Sequence, residues 1–443
     1  MYLPAILFLK EKIYCIVMIG RYYMKKEFFA VVVAIVLLLS GCQNNTPSVT
    51  NTTDADDPIQ FAPEKNAQNK YLGGFINFQE AEGFFLGSMD MNGYLLYYDK
   101  ASGISGVLCA DPSCAHDSYE CGGKMSGDLS LSYYDGKLYW VGQEGSAFMK
   151  DYLWQSDFSG MNRKKIMEIP RDEIIMPYQP QRYVIHQGKL YIMGSASVVD
   201  GTQTGKRKSL LSIPLTGDEG FTTVYDEVLP NAVDNERYIF VDGFIYISMY
   251  SFDEENSTKN LTVTKVDIAK NTSEVVYQEN DVTDILGNIW VTENHEIYLT
   301  GSTKTETEAY LWKLENGEKI EITSWSGERI STPDVIDGIV LCLSYDKDIR
   351  WADIRDLTGK TIYSGKLFPD VIPELEHDPN DIPSEVGLDN SYSIGLIGGD
   401  AEKLIFELSG EEGSKLDCKI VDYTILLDLK DNMKATILWS SED

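Results

Sequence analysis

Between Cys109 and Cys121 three cysteines and a histidine fall in the pattern C-x4-C-x-H-x4-C, made of Cys109, Cys114, His116 and Cys121. Thiolates and imidazole are good ligands for zinc, and three of the first with one of the second is a ligand set of structural zinc sites. A tetrahedral ion would crosslink a segment that has no core of its own. The spacing is not that of the common zinc fingers or knuckles. The competing reading is a disulfide, with Cys121 joined to Cys114 or Cys109 and the third thiol left over, because an extracytoplasmic chain can keep such a bond. Cys342 and Cys418 stand in strand-like stretches and read as buried hydrophobes. On either reading the four residues have a structural role, since a closed four-ligand site leaves no open position for substrate.

Conventional catalytic motifs are missing elsewhere. There is no Gly-x-Ser-x-Gly elbow, no His-Glu-x-x-His and no phosphate-cradling glycine loop, and the only imidazoles are His116, His186, His295 and His377. His186 and His295 adjoin repeated hairpin turns and read as structural. Paired carboxylates of a glycan hydrolase or lyase stay open, because so acidic a chain brings acids together by chance. Trp140, Trp154, Trp312 and Trp351 recur on strands, which suits core packing better than a sugar-stacking platform. The polar stretch 366–391 holds Asp370, Glu374, Glu376, His377, Asp378, Asp381 and Glu385 without an EF-hand spacing, and reads as a solvated loop. Gly205-Lys206-Arg207-Lys208 reads as an exposed hairpin tip.

These segments hang on a repeat. Versions of Asp135-Gly136-Lys137-Leu138-Tyr139 recur with their second residue at 83, 136, 188, 243, 295, 338 and 402, at spacings of 53, 52, 55, 52, 43 and 64. Each anchor is a tight turn tolerant of positive φ, followed by aromatic and β-branched residues that suit a strand. A second hairpin follows in every unit, closed by Ser102-Gly103, Ser159-Gly160, Thr216-Gly217, Lys270-Asn271, Asn316-Gly317, Thr358-Gly359 and Asp431-Asn432. Four short strands per unit predict an all-β fold over 71–439, a seven-bladed β-propeller of four-stranded blades, with six or eight blades as the neighbouring counts. The stretch from Tyr71 to Phe78 is expected to supply the first strand of the first blade. Inserts at 109–123 and 366–391 interrupt the repeat and map to loops.

The first 41 residues differ in kind. Phe28 to Leu39 is an unbroken apolar run preceded by Lys25-Lys26, as in a signal peptide, with Met24 the more natural start. The run ends in Leu39-Ser40-Gly41-Cys42, and residues 42–70 form a polar tether without periodicity. The net charge of the whole chain is −31, and removal of residues 1–41 takes away five basic and two acidic residues, leaving −34. Such a surface repels nucleic acid and anionic headgroups.

The ending at Cys42 resembles the lipobox of bacterial lipoproteins, which implies lipid on Cys42 and a place on the extracytoplasmic face of the cell membrane. With the repeats and the segment Leu108 to Cys121, the chain resembles a group of uncharacterised β-propeller lipoproteins of anaerobic Gram-positive bacteria. More loosely the blades are similar to TolB-like propellers and to the YWTD propellers of lipoprotein receptors, although the Tyr-Trp-Thr-Asp tetrapeptide is absent. The expectation is a monomer, attached to the membrane through its lipid alone, that binds an extracellular protein, peptide or glycan and requires no cofactor, with structural zinc one of the two readings at Cys109 to Cys121. The alternative is an extracellular polysaccharide-acting enzyme.

Overall fold

The structure, a computed structural model, describes residues 71–72, 79–81, 84–89, 94–116, 121–124, 131–143, 151–157, 159–169, 183–200, 203–217, 220–229, 232–253, 258–344, 351–369, 371, 392–414 and 417–440. The expected signal segment, Cys42, the tether and most of 366–391 lie outside them. All of the described residues belong to one compact unit, Phe61–Asp443, and their regular elements are β-strands.

Antiparallel pairing in chain order produces sheets at 79–107, 132–169, 183–229, 232–279, 285–326, 334–366 and 392–440, numbered 1 to 7 here. Local sequence explains the hairpins. Asp135-Gly136, Gln187-Gly188 and Asp337-Gly338 turn at positive φ, as does His295 at 64°, while Gly103, Gly160, Gly217, Asn271, Gly317, Gly359 and Asn432 do so at the second hairpins. Only residues that tolerate the left-handed region close a strand pair this tightly.

Where burial is described along a whole sheet, it falls from the inner strands to the last. The strand Ile297–Ser302 is buried throughout, whereas Glu318–Ser326, last in the same sheet, is mostly exposed or half-buried. Strands near the axis are thus covered on both faces, and the apolar clusters show by what. One cluster joins sheets 2 and 3 through Tyr139, Leu153, Ile185 and Leu190, the next joins 3 and 4 through Tyr191, Phe240 and Ile247, and another joins 4 and 5 through Val263, Ile289 and Leu299. Further clusters join 5 to 6, 6 to 7 and 1 to 2. A last one sets Ile405, Leu426 and Leu438 of sheet 7 against Tyr98 of sheet 1 and closes the ring. Sheets packed face to face around a closed circle are a β-propeller.

The expectation of a seven-bladed propeller is corrected to six four-stranded blades, one of the two neighbouring counts. Six sheets, 2 to 7, are blades of one kind: each carries a register shift in its outer strand pair, at Leu153/Trp154, Leu210/Leu211, Val263/Thr264, Leu311/Trp312, Ile354/Arg355 and Thr424/Ile425. Such a bulge adds twist where the blade splays outward. Sheet 1 lacks the shift, and its last strand is only Ile104–Val107, because the chain there leaves the sheet for the cysteine segment. Sheet 4 has a fifth strand. Tyr71–Leu72, expected to start the first blade, pairs instead with the free inner edge of Ala232–Val241, opposite Ile239 and Tyr238. An unpaired inner edge exposes backbone donors and acceptors, and the passing chain satisfies them. Sheet 1 begins at Gln79–Ala81. Lys206 to Lys208 is no hairpin tip either: these residues lie within the strand Gln203–Pro214 and pair with Glu227 to Leu229, and Lys208 is only 5% exposed.

Truncating one side chain at an interface between sheets should show how far the ring depends on this packing. Leu299→Ala, at a fully buried position in sheet 5, is expected to cost about 2–5 kcal/mol. Val275→Ala, on the exposed outer strand of sheet 4, should stay within about 0.5 kcal/mol. Urea unfolding midpoints of the two variants against the parent check this.

Candidate metal centre

Short-range chemistry folds the cysteine segment into a knot. The Leu108 amide donates to the Leu95 carbonyl, which ends sheet 1, and Cys109 follows at once. Asp111-Pro112-Ser113-Cys114 is then a tight turn, with the Cys114 amide on the Asp111 carbonyl at 3.1 Å and the Asp111 carboxylate accepting from the Ser113 amide at 2.8 Å and hydroxyl at 2.7 Å. Asp first and Pro second are the residues such a turn favours. His116 takes a positive φ of 55°, and its carbonyl accepts from the Tyr94 hydroxyl. Cys121 opens another turn, closed by the Lys124 amide on its carbonyl at 3.0 Å, and the Gly123 carbonyl accepts from the Leu95 amide at 2.9 Å. Both ends of the segment are therefore pinned to one strand start.

The result is convergence. One ligand atom each from Cys109, Cys114, His116 and Cys121 lies within 4.8 Å of all the others, and His116 Nδ1 is 3.2 Å from the Cys121 sulfur. All three thiols are free. Burial raises the Cys109 thiol, but hydrogen bonds from the amides of Asp111 and Gly122 and from the neighbouring sulfurs leave it below its ordinary pKa. Cys121, which is 2% exposed, is pushed up to about 11, chiefly by burial.

Sheet 2 closes over the knot. A β-carbon on Gly160, at its outer turn, would come within 2.8 Å of the Leu108 carbonyl oxygen, and one on Gly123 within 2.5 Å of Val107. Arg163 donates to the Lys124 carbonyl at 2.7 Å while its guanidinium stacks on Trp154, 4.6 Å from the ring centre. Trp140 and Trp154 stack in turn beneath it, 6.4 Å apart.

A second polar group, which the sequence did not reveal, runs between the inner strands of sheets 4, 5 and 6. Two register shifts, Asp234/Arg237 and Leu286/Ile289, bring Arg237 and Asn288 together. Arg237 Nε donates to Asn288 Oδ1 at 3.2 Å, and Asn288 Nδ2 donates to Asp334 Oδ1 at 2.8 Å. The shift in sheet 5 is held by Thr300, whose hydroxyl accepts from the Asn288 amide and donates to the Pro333 carbonyl. Burial raises Asp334 to about 6, against the opposing pull of the Asn288 hydrogen bond and the Arg237 charge. Beside this group Lys208 of sheet 3 pairs with Glu236 of sheet 4 at 2.8 Å, with both side chains nearly out of solvent.

The other candidates are structural where they are described. His186 is buried against Tyr191 and Phe240 and bonds the Asp242 carbonyl at 2.7 Å, and burial holds its pKa below the usual imidazole value. His295 meets the Tyr246 hydroxyl at 3.1 Å. Trp140 and Trp312 are buried, and Trp154 and Trp351 half-buried. Cys342 lies buried in the strand Ile339–Ser344. The acids and His377 of 366–391 lie outside the described residues.

No sequence-family model matches the chain, and no curated protein matches it in sequence. Solved structures similar to it in fold are β-propeller proteins. An oligogalacturonate lyase in complex with manganese is 10% identical, with 84% of this chain and 91% of that one covered and a TM-score of 0.46. The propeller domain of the Trilobed protease from Pyrococcus furiosus, described as having an open velcro topology, is 12% identical over 84% of this chain and all of that one, at 0.44. The acylaminoacyl peptidase of Pyrococcus horikoshii is 11% identical over 82% of this chain and about half (52%) of that one, at 0.45. At such identities the likeness concerns the fold alone.

The raised pKa of Asp334 has a signed consequence. A carboxyl whose pKa is higher folded than unfolded holds its proton more tightly in the native state, so its contribution falls as pH rises from about 4 to about 6. The loss is at most about 3 kcal/mol. Asp334→Asn, which mimics the protonated carboxyl, should remove that slope, and denaturant midpoints of parent and variant across this pH window will show the difference.

Proposed function

We propose that the protein is a binding or scaffold module for an extracellular protein, peptide or glycan, held on the extracytoplasmic face of the membrane by lipid on Cys42. The observation that carries the binding reading is the mutual engagement of the described polar groups on the inner strands. Arg237, Asn288 and Asp334 hydrogen-bond in series, Lys208 is paired with Glu236, and the three described histidines are used elsewhere. Acid–base catalysis needs a proton donor or acceptor within reach of a substrate. The hairpin loops of a propeller offer a recognition surface that needs no such group. The strongly acidic composition disfavours nucleic acid and anionic headgroups as partners and supports the lipid as the membrane attachment.

One observation favours the second reading, a polysaccharide-acting enzyme. With its pKa raised to about 6, Asp334 lies in the range where a carboxyl exchanges protons near neutrality.

Two measurements test these readings. Cys42→Ala should abolish incorporation of labelled fatty acid and shift the protein from the membrane to the soluble fraction; lipid retained by the variant would refute the anchor. The purified full chain, incubated with cell-wall polysaccharides and surface-protein extracts, should bind saturably and leave its ligand unchanged. Glycan shortened or released as unsaturated ends would replace binding with catalysis.

A further inference from the structure

We infer that Cys109, Cys114, His116 and Cys121 form a tetrahedral zinc site that staples the cysteine segment across the junction of sheets 1 and 2. This inference is independent of what the propeller binds.

Convergence of four groups decides against a disulfide. A disulfide needs two sulfurs about 2 Å apart and makes no demand on a third thiol or a histidine. A tetrahedral zinc ion, with ligands at about 2.0–2.3 Å, needs four donor atoms each on the order of 3.5 Å from the rest. Here three sulfurs and an imidazole nitrogen lie mutually within 4.8 Å. The His116 nitrogen directed at the group is Nδ1, 3.2 Å from the Cys121 sulfur, and the backbone at His116 adopts the left-handed region to aim it. That conformation is uncommon outside glycine and is kept where surrounding structure fixes it.

Backbone amides face two of the sulfurs. Amides of Asp111 and Gly122 point at the Cys109 sulfur and the amide of Gly123 at that of Cys121, so charge placed on the sulfurs meets fixed donors. A thiolate set of this kind releases three protons when the metal enters, and no oxidant or reductant is required.

The position in the ring gives the staple its purpose. Sheet 1 is the reduced sheet, and the described cluster joining it to sheet 2 is small, with Leu95, Leu108, Leu131, Leu138 and Trp140 as its buried members. A metal that ties Cys109, at the end of sheet 1, to Cys121, beside the Lys124 carbonyl held by Arg163 of sheet 2, supplies a crosslink where the described apolar cluster is small. With all four positions taken by protein the ion is structural.

The test uses full-length protein recovered, without chelator, from the membrane of its expressing cell, so that the thiols have met their natural redox environment. Elemental analysis should give one zinc per chain. After zinc is stripped under denaturing, non-reducing conditions, alkylation should label all three cysteines of the peptide that contains Cys109 to Cys121. Chelation of the native protein should lower Tm by several degrees, and Zn2+ should restore it. Because Cys121→Ser or His116→Ala could fail to fold, the parent protein refilled with Co2+ provides a second reading: intense tetrahedral d–d bands with sulfur-to-cobalt charge transfer. Two hydrogens missing from that peptide, with two cysteines refusing label, would overturn the inference. So would iron, or no metal, in place of zinc.

Discussion

The structure depends on burial of sheet against sheet. No four-stranded antiparallel sheet here has a face that can be left to water near the axis, since strands such as Ile297–Ser302 are buried along their whole length. Each sheet is stable only when a neighbour covers either side, and a row of sheets meets that condition everywhere only by closing on itself. The joints are apolar and alike in kind, so the ring needs little specific chemistry. At about 25 cal/mol per Å2 of apolar surface removed from water, large aromatic and aliphatic side chains such as Tyr246, Phe240 and Leu299 at these joints are the main source of stability.

Polar groups enter the joints at several places, and two of these are local departures from the repeat. In the inner strands of sheets 4 to 6, bulges turn Arg237 and Asn288 out of register so that Asn288 bridges Arg237 to Asp334. At the junction of sheets 1 and 2, the chain interrupts the sheet to lay a cysteine knot against Gly160 and Arg163. Buried polar groups of this kind add less net stability than they add selectivity for one arrangement, because each leaves an unsatisfied partner if the sheets slide.

The two sites differ in how readily a reader of the sequence finds them. The cysteine cluster is visible because its four ligands fall within thirteen residues, so proximity in sequence stands in for proximity in space. Arg237, Asn288 and Asp334 lie in three different repeats at positions fixed by bulges, and no local pattern marks them. The hairpins were readable for a related reason: positive φ restricts residue choice, and turns such as Asp135-Gly136 and Asn316-Gly317 carry that restriction openly. Lys206-Arg207-Lys208 misled, because a run of charge suggests solvent, whereas the partner that lets Lys208 be buried, Glu236, belongs to the next sheet. Tyr71–Leu72 was strand-like in sequence and is a strand, but its partner lies more than 160 residues away at Ile239 and Tyr238. The reduced first sheet is another non-local fact, since its strand lengths and missing bulge depend on pairing that composition does not encode.

The closure of the ring has a kinetic side. Sheets 7 and 1 are each a meander of consecutive strands, so among the described residues no exchanged strand bridges their seam, and its apolar cluster is the smallest of the set, with Ile405, Leu426 and Leu438 as its buried members. Separating the two sheets there breaks no described ladder of backbone hydrogen bonds and parts the smallest described apolar cluster. The ring is therefore a clasped bracelet whose breathing begins at the clasp, and amide hydrogens beside the seam should exchange through sub-global openings long before those of the opposite blades.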